Sequence, residues 1–241
     1  MKIFSPDPAS AEITLRVLSR LLGYPNAALR RHIPEMRAAL HSESALSAAR
    51  LAELSELMDW LAAGAGGADI DTLDVEAAYV EIFDRGRATS LYLFEHVHGD
   101  SRDRGPAMID LAQLFEKALL YLKPGEMPDY LPVVLEYAST QPPREAKMFL
   151  NEMAHVFNAI FAALQQRNTR YASVLGALLE LAGETATVVK VAADENIDEA
   201  WQEPVVFDGC STKGQAQPNQ PQPIHFVGKR AVTAPTSGAH Q

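Results

Sequence analysis

The amino-acid sequence predicts an all-α protein: a single-domain helical bundle over residues 1–207, followed by a disordered tail over 208–241. Three observations carry the prediction. Before position 200, apolar residues recur at spacings of three and four, the period of one helix face, and no stretch alternates like a half-buried strand. The gaps between these stretches hold Gly, Pro and Asn, the residues that cap helices and turn the chain. After Asp208, Gly, Pro, Gln, Ser and Thr dominate, and the sparse Ile224, Phe226, Val227 and Val232 bury too little surface to offset the entropy of ordering.

The first helix is expected from about Ala9 to Leu22, with Ile13, Val17 and Leu21 on one stripe and Gly23 and Pro25 closing it. Asn26 is placed to cap a second helix, which Pro34 either kinks or restarts. A third, within 45–63, turns Leu46, Leu54, Leu57, Met58 and Leu61 inward and ends in Gly64-Ala65-Gly66-Gly67. A fourth spans about Thr72 to Phe83, and residues 84–105 then break the period. Pro106 suits a first helical position, with Met108, Leu111, Phe115, Ala118 and Leu122 following at helical spacing. After a turn at 123–128, Asp129 is expected to cap a short helix containing Leu131, Val134 and Leu135. Pro142-Pro143 opens the longest helix, to about Asn168. Its broad face of Phe149, Met153, Val156, Phe157, Ile160, Phe161 and Leu164 marks it as central. A last helix covers Tyr171 to Ala182 and ends at Gly183; an acidic stretch then runs from Asp194 to Asp208.

At 241 residues the chain is long enough to bury a sizeable core unaided, and its single cysteine excludes a disulfide framework and the Cys-rich metal motifs. The N-terminus shows no apolar signal core, and no uncharged apolar run approaches the ~18 residues of a membrane span, so a cytoplasmic protein with no direct membrane insertion is expected. Charge is uneven. One acid and three bases fall in 208–241, leaving 30 acids and 18 bases in 1–207, a net of −12. Such a body repels nucleic acid and attracts a basic partner.

Gly64-Ala65-Gly66-Gly67 follows a helix rather than a strand, so it reads as a connection and not a dinucleotide loop, and no P-loop or nucleophile elbow is present. The richest chemistry sits in Glu95-His96-Val97-His98-Gly99-Asp100, beside Arg85, Arg87, Arg102 and Arg104. One reading is a polar loop whose Arg and Asp residues pair with one another. Another is a helical metal-dependent hydrolase using His96, His98, Asp100 and Asp129, since imidazole and carboxylate are competent ligands.

The wider segment decides between them. From Tyr79 to Gly105 the chain reads Tyr-Val-Glu-Ile-Phe-Asp-Arg-Gly-Arg-Ala-Thr-Ser-Leu-Tyr-Leu-Phe-Glu-His-Val-His-Gly-Asp-Ser-Arg-Asp-Arg-Gly. This closely resembles the signature of the nitrate reductase molybdenum cofactor assembly chaperones (the delta-subunit family), within the all-helical TorD-like redox-enzyme maturation chaperones. Glu126-Met127-Pro128-Asp129-Tyr130-Leu131 is similar to the family's Glu-Pro-x-Asp-His motif, with Tyr130 where the His usually stands. The resemblance covers about residues 9–205.

What the resemblance implies is a non-catalytic chaperone without a cofactor or metal of its own. It would bind the N-terminal peptide of the catalytic alpha subunit and hold that subunit for cofactor insertion, as a monomer outside the final enzyme. Motif matching places the peptide site at Tyr79, Phe83, Tyr92, Phe94, Glu95, His96, Asp100, Asp129 and Tyr130. Tyr79, Phe83, Tyr92 and Phe94 would anchor an apolar face, Glu95, Asp100 and Asp129 would meet Lys or Arg, and Arg85 and Arg87 would pin the loop through internal carboxylate pairs. An imidazole ordinarily titrates near pH ~6.5, so His96 is expected to weaken cationic-peptide binding on acidification. A structural subunit permanently bound to its partner is a third reading.

Overall fold

The computed structural model of the chain describes residues 11–63, 72–99 and 101–187. These hold ten α-helices: α1 (Ala11–Leu21), α2 (Ala27–Glu43), α3 (Ala48–Ala63), α4 (Thr72–Phe83), α5 (Leu93–Val97), α6 (Arg104–Lys117), α7 (Leu131–Thr140), α8 (Pro143–Glu152), α9 (Ala154–Gln166) and α10 (Ala172–Ala182). A 3₁₀ turn at Arg87–Thr89 and one isolated antiparallel bridge, Tyr92 with Tyr130, complete the described residues, which contain no strand. The all-α expectation holds. The glycine-rich stretch at 64–67, the acidic stretch and the tail lie outside the described residues.

Helix α10 forms the centre because it is apolar all round: residues 172–179 are buried without a break. It packs on α9, α8, α3 and α1. Gly176 lies where the Arg50 guanidinium crosses α10, so closely that a Cβ there would collide with it. Gly183 ends the helix at φ 87°, a left-handed conformation that costs glycine little. On the other side, Leu15, Leu18, Leu21 and Leu22 seal α1 against its main neighbour α7, and the buried Ser19 hydroxyl donates to the Pro132 carbonyl at 2.8 Å.

Several helix ends match local chemistry. The Asn26 side chain accepts from Ala28 N and Leu29 N, both at 3.0 Å, as an N-cap should. Pro34 lies inside α2 and does not restart it. Other ends differ from the sequence reading. The expected helix from Pro142 to Asn168 is two helices, α8 and α9, joined at Met153 (φ −93°, ψ 0°). Apolar spacing runs through that joint without a gap. The broad face is shared out, with Ala146 and Leu150 buried from α8 and most of α9 buried beyond it. Helix α6 starts at Arg104 rather than Pro106 and stops at Lys117, short of Leu122. It closes through Leu119 at φ 62° and a Leu120 N to Phe115 O bond of 3.0 Å.

The largest correction concerns Asp129. It does not cap α7, whose N-cap is Tyr130 with no side-chain bond. Its Oδ2 instead accepts from Phe94 N at 3.2 Å and its carbonyl from Leu93 N at 3.0 Å, so it caps α5 from across the fold. Helix α5 supplies no side-chain cap itself. The acid lies 35 residues along the chain from the amide it satisfies.

Candidate functional site

The site is built on the segment from Glu81 to His98, which other elements hold in place. Arg167, at the C-cap of α9, donates to the Glu81 carbonyl at 3.1 Å and the Ile82 carbonyl at 3.4 Å, occupying oxygens that the end of α4 leaves without helical partners. The fully buried Thr89 hydroxyl donates to the Ile82 carbonyl as well, and the buried Gly86 fits between Thr89 and Arg167 where a Cβ would strike both. Residues 90–93 then run antiparallel to 129–131: Leu131 N donates to Leu91 O at 2.8 Å and Leu93 N to Asp129 O at 3.0 Å. His96 Nε2 lies 2.9 Å from the Ser90 carbonyl, so the ring carries its proton there and ties α5 back to the start of this pairing.

These ties divide the aromatic residues singled out in the sequence. Tyr79 and Phe83 face inward, 5% and 7% exposed. Their rings pack with Tyr171 at 5.9 and 4.9 Å in edge-on geometry, and Trp60 extends the cluster 6.0 Å beyond. The Tyr79 hydroxyl donates to the Leu22 carbonyl at 2.8 Å, and burial pushes both the Tyr79 and Tyr171 phenols well above their usual range. Tyr92 and Tyr130 stack on each other at 5.4 Å and a 36° tilt, with Tyr92 exposed and Tyr130 half-buried. Phe94 is half-buried against the His98 ring at 5.3 Å. Tyr92, Val97 and Met127 are exposed large hydrophobics on the two segments that the Tyr92–Tyr130 bridge joins. The bridged pair of segments, bearing these exposed side chains, forms a ledge.

Of the acids, Glu95 is half-buried, Asp129 is fully buried, and Asp100 lies outside the described residues. Arg104 Nη2 stands between the first two, 3.5 Å from Glu95 and 3.7 Å from Asp129. Burial pushes the Asp129 carboxyl above the usual range; the Phe94 amide and Arg104 oppose this without cancelling it. Asp129 Oδ1 is buried with no hydrogen-bond partner. A cavity of about 160 Å³ lies against Glu95 and Arg104, with Arg87 and Gly99 completing its lining.

Sequence reasoning missed the groups that fix the loop. Arg85 pairs with Glu81 at 3.1 Å, one turn back on α4, and both are about two-thirds exposed, a contact worth only ~0.3–0.5 kcal/mol. Arg167, Thr89 and Gly86 hold the segment as well. No local spacing signals Arg167, which lies more than 80 residues away.

Comparison with known proteins decides the family. Residues 28–175, more than half the chain, match the family described as the nitrate reductase delta subunit. The chain belongs to that family. The nitrate reductase molybdenum cofactor assembly chaperone NarJ of Escherichia coli K12 is 44% identical over 193 residues, covering 79% of each chain. The probable assembly chaperone NarW of the same strain is 46% identical over 127 residues, 53% of this chain and 55% of the relative. A probable NarJ from Bacillus subtilis 168 is 26% identical over 168 residues, 70% of this chain and 87% of the relative. These delta-subunit relatives carry chaperone names rather than enzyme names, and the hydrolase reading finds no support. His96 is bonded to a backbone carbonyl, His98 packs on Phe94, and Asp129 caps α5. Among the described residues no group of three His, Cys, Asp or Glu gathers where a metal could bind. None of their helices is long and apolar enough to cross a membrane.

Proposed function

We propose that this chain is a cytoplasmic, monomeric assembly chaperone for a nitrate reductase. It binds the basic N-terminal peptide of the catalytic alpha subunit, holds that subunit for molybdenum cofactor insertion, and leaves the finished enzyme. The observation that carries the reading is that ledge, which exposes Tyr92, Val97 and Met127 and bears Glu95, on a body with a net charge of −12 over 1–207. Exposed apolar side chains next to carboxylates suit a peptide that is apolar on one face and basic on another. The sealed Tyr79 and Phe83 form the floor that positions the ledge, and Tyr130 links them, its hydroxyl 3.5 Å from that of Tyr79.

The test is titration of the client's leader peptide into the isolated chain at two salt concentrations. Binding that weakens as salt rises supports the reading. No association at either concentration overturns it.

A further inference from the structure

We propose that the Glu95–Asp129 carboxyl pair is a receptor for one client arginine side chain, a seat that Arg104 fills in the free chain and yields on binding. The proposal rests on the chaperone reading above. Four observations converge on it. First, Arg104 is held loosely: a single nitrogen, Nη2, is shared between Glu95 at 3.5 Å and Asp129 at 3.7 Å. A charge-assisted hydrogen bond runs to about 2.7–2.9 Å. In the same molecule Arg30 meets Glu76 and Arg37 meets Asp59, each at 2.5 Å.

Second, the acceptors are under-used. Asp129 has no exposed surface, yet its Oδ1 has no partner, so the pair has capacity for a donor that Arg104 does not supply. Third, Arg104 is poorly placed. It is the first residue of α6, a helix with no acid in its first turn, and the preceding Asp103 turns its carboxylate to the Ser101 hydroxyl instead of capping. A cation at a helix N-terminus opposes the macrodipole. Fourth, there is room. The cavity against Arg104 and Glu95 measures about 160 Å³. One water needs only about 10–15 Å³.

The chemistry favours arginine over lysine. Glu95 reaches the site from α5 and Asp129 from the turn before α7, so two acceptors approach from separate elements. A planar guanidinium presents several donors in fixed directions and can serve both, whereas an ammonium is a point charge. Arg104 then acts as an internal competitor: it keeps the buried carboxyl neutralised when no client is present and sets the threshold a leader must exceed. Competition of this kind predicts an unusual sign, because removing a positively charged side chain from the site tightens the client.

The experiment uses the full chain and two variants, Arg104→Ala and Arg104→Met, the second keeping part of the apolar stem for packing. Melting is followed with tens of millimolar guanidinium chloride, sodium chloride or sodium phosphate at matched ionic strength. Guanidinium is expected to raise the melting temperature of the Arg104 variants specifically, and not of Arg104→Ala/Asp129→Asn. Leader titration is expected to give affinity higher on the order of tenfold in the folded Arg104 variants, with the gain lost when the leader's arginines are replaced by lysine. Absence of guanidinium rescue, stabilisation by phosphate in its place, or a folded Arg104 variant that binds the leader no better than the native chain overturns the receptor. If no form of the chain binds the leader, the chaperone reading fails, while the melting arm still decides whether the pair accepts a guanidinium.

Discussion

Two aromatic groups of the candidate site meet opposite fates. Tyr79 and Phe83 pack edge-on with Tyr171 at the start of α10, and Trp60 of α3 closes the cluster. Tyr92 and Tyr130 stack in the open, 37% exposed in the case of Tyr92, with Val97 and Met127 exposed nearby. Residue type does not separate them, since both groups are Tyr and Phe beside acids. What separates them is cover. Helix α4 turns Tyr79 and Phe83 towards Tyr171, whereas 90–93 is fastened by its backbone to 129–131, which buries Leu91 and Leu93 and leaves Tyr92 exposed between them. Under the proposed function, the inner group makes stability and the outer group makes the binding face.

The sharpest way to break that division is to truncate one residue from each group. Phe83→Ala is expected to destabilise by about 3–5 kcal/mol, the cost of a cavity where a buried aromatic was lost. Tyr92→Ala is expected to change stability by less than about 1 kcal/mol while weakening leader binding. Chemical denaturation and leader titration on the two variants check this, and equal stability losses would erase the distinction.

Gly86→Ala tests the hinge between the groups. A Cβ there meets the Thr89 hydroxyl and the Arg167 guanidinium, so a loss of about 1–3 kcal/mol is expected from displacing both. Leader binding should weaken too, because the ledge hangs from this joint. Unchanged denaturation would show that Arg167 simply moves aside.

Asp129 separates two effects in one residue. Asp129→Ala leaves the Phe94 amide without its acceptor and is expected to cost about 1–2 kcal/mol. Asp129→Asn keeps an acceptor and removes the charge. Because burial raises the native carboxyl above its unfolded value, the folded chain holds that proton more tightly than the unfolded chain. Stability from this group is therefore present at low pH and lost as pH rises from the ordinary carboxylate range through the raised value. Denaturation across that window should show the Asn variant gaining on the native chain as pH rises; a gap independent of pH would contradict it. The smallest effect belongs to the turn after α6: Leu119, 77% exposed at φ 62°, should gain up to ~1 kcal/mol as Leu119→Gly by relieving a left-handed backbone.

The same contrast explains what could be read in advance. Short-range features were legible: α4 from Thr72 to Phe83, the Asn26 cap, the glycine end at Gly183, the helical class. Each depends on residues within a turn of one another. The joint at Met153 was not legible, because the apolar pattern is continuous and only the docking of α8 and α9 against α10 divides it. Nor was the role of Asp129, which serves an amide 35 residues back, or of Arg167, which caps carbonyls on α4. In the site itself, motif matching gathered Tyr92, Phe94, Glu95, His96, Asp129 and Tyr130, which the fold does bring together. It gave no means of telling the covered Tyr79 and Phe83 from the open Tyr92, since cover comes from Tyr171, about 90 residues further along the chain.

Hydrogen exchange of the chain with and without the client's leader peptide tests the central claim most directly. Added protection is expected to concentrate at residues 92–98 and 127–131, with α9 and α10 unchanged because they are already sealed. Added protection confined to another face, or none anywhere at saturating peptide, would contradict it.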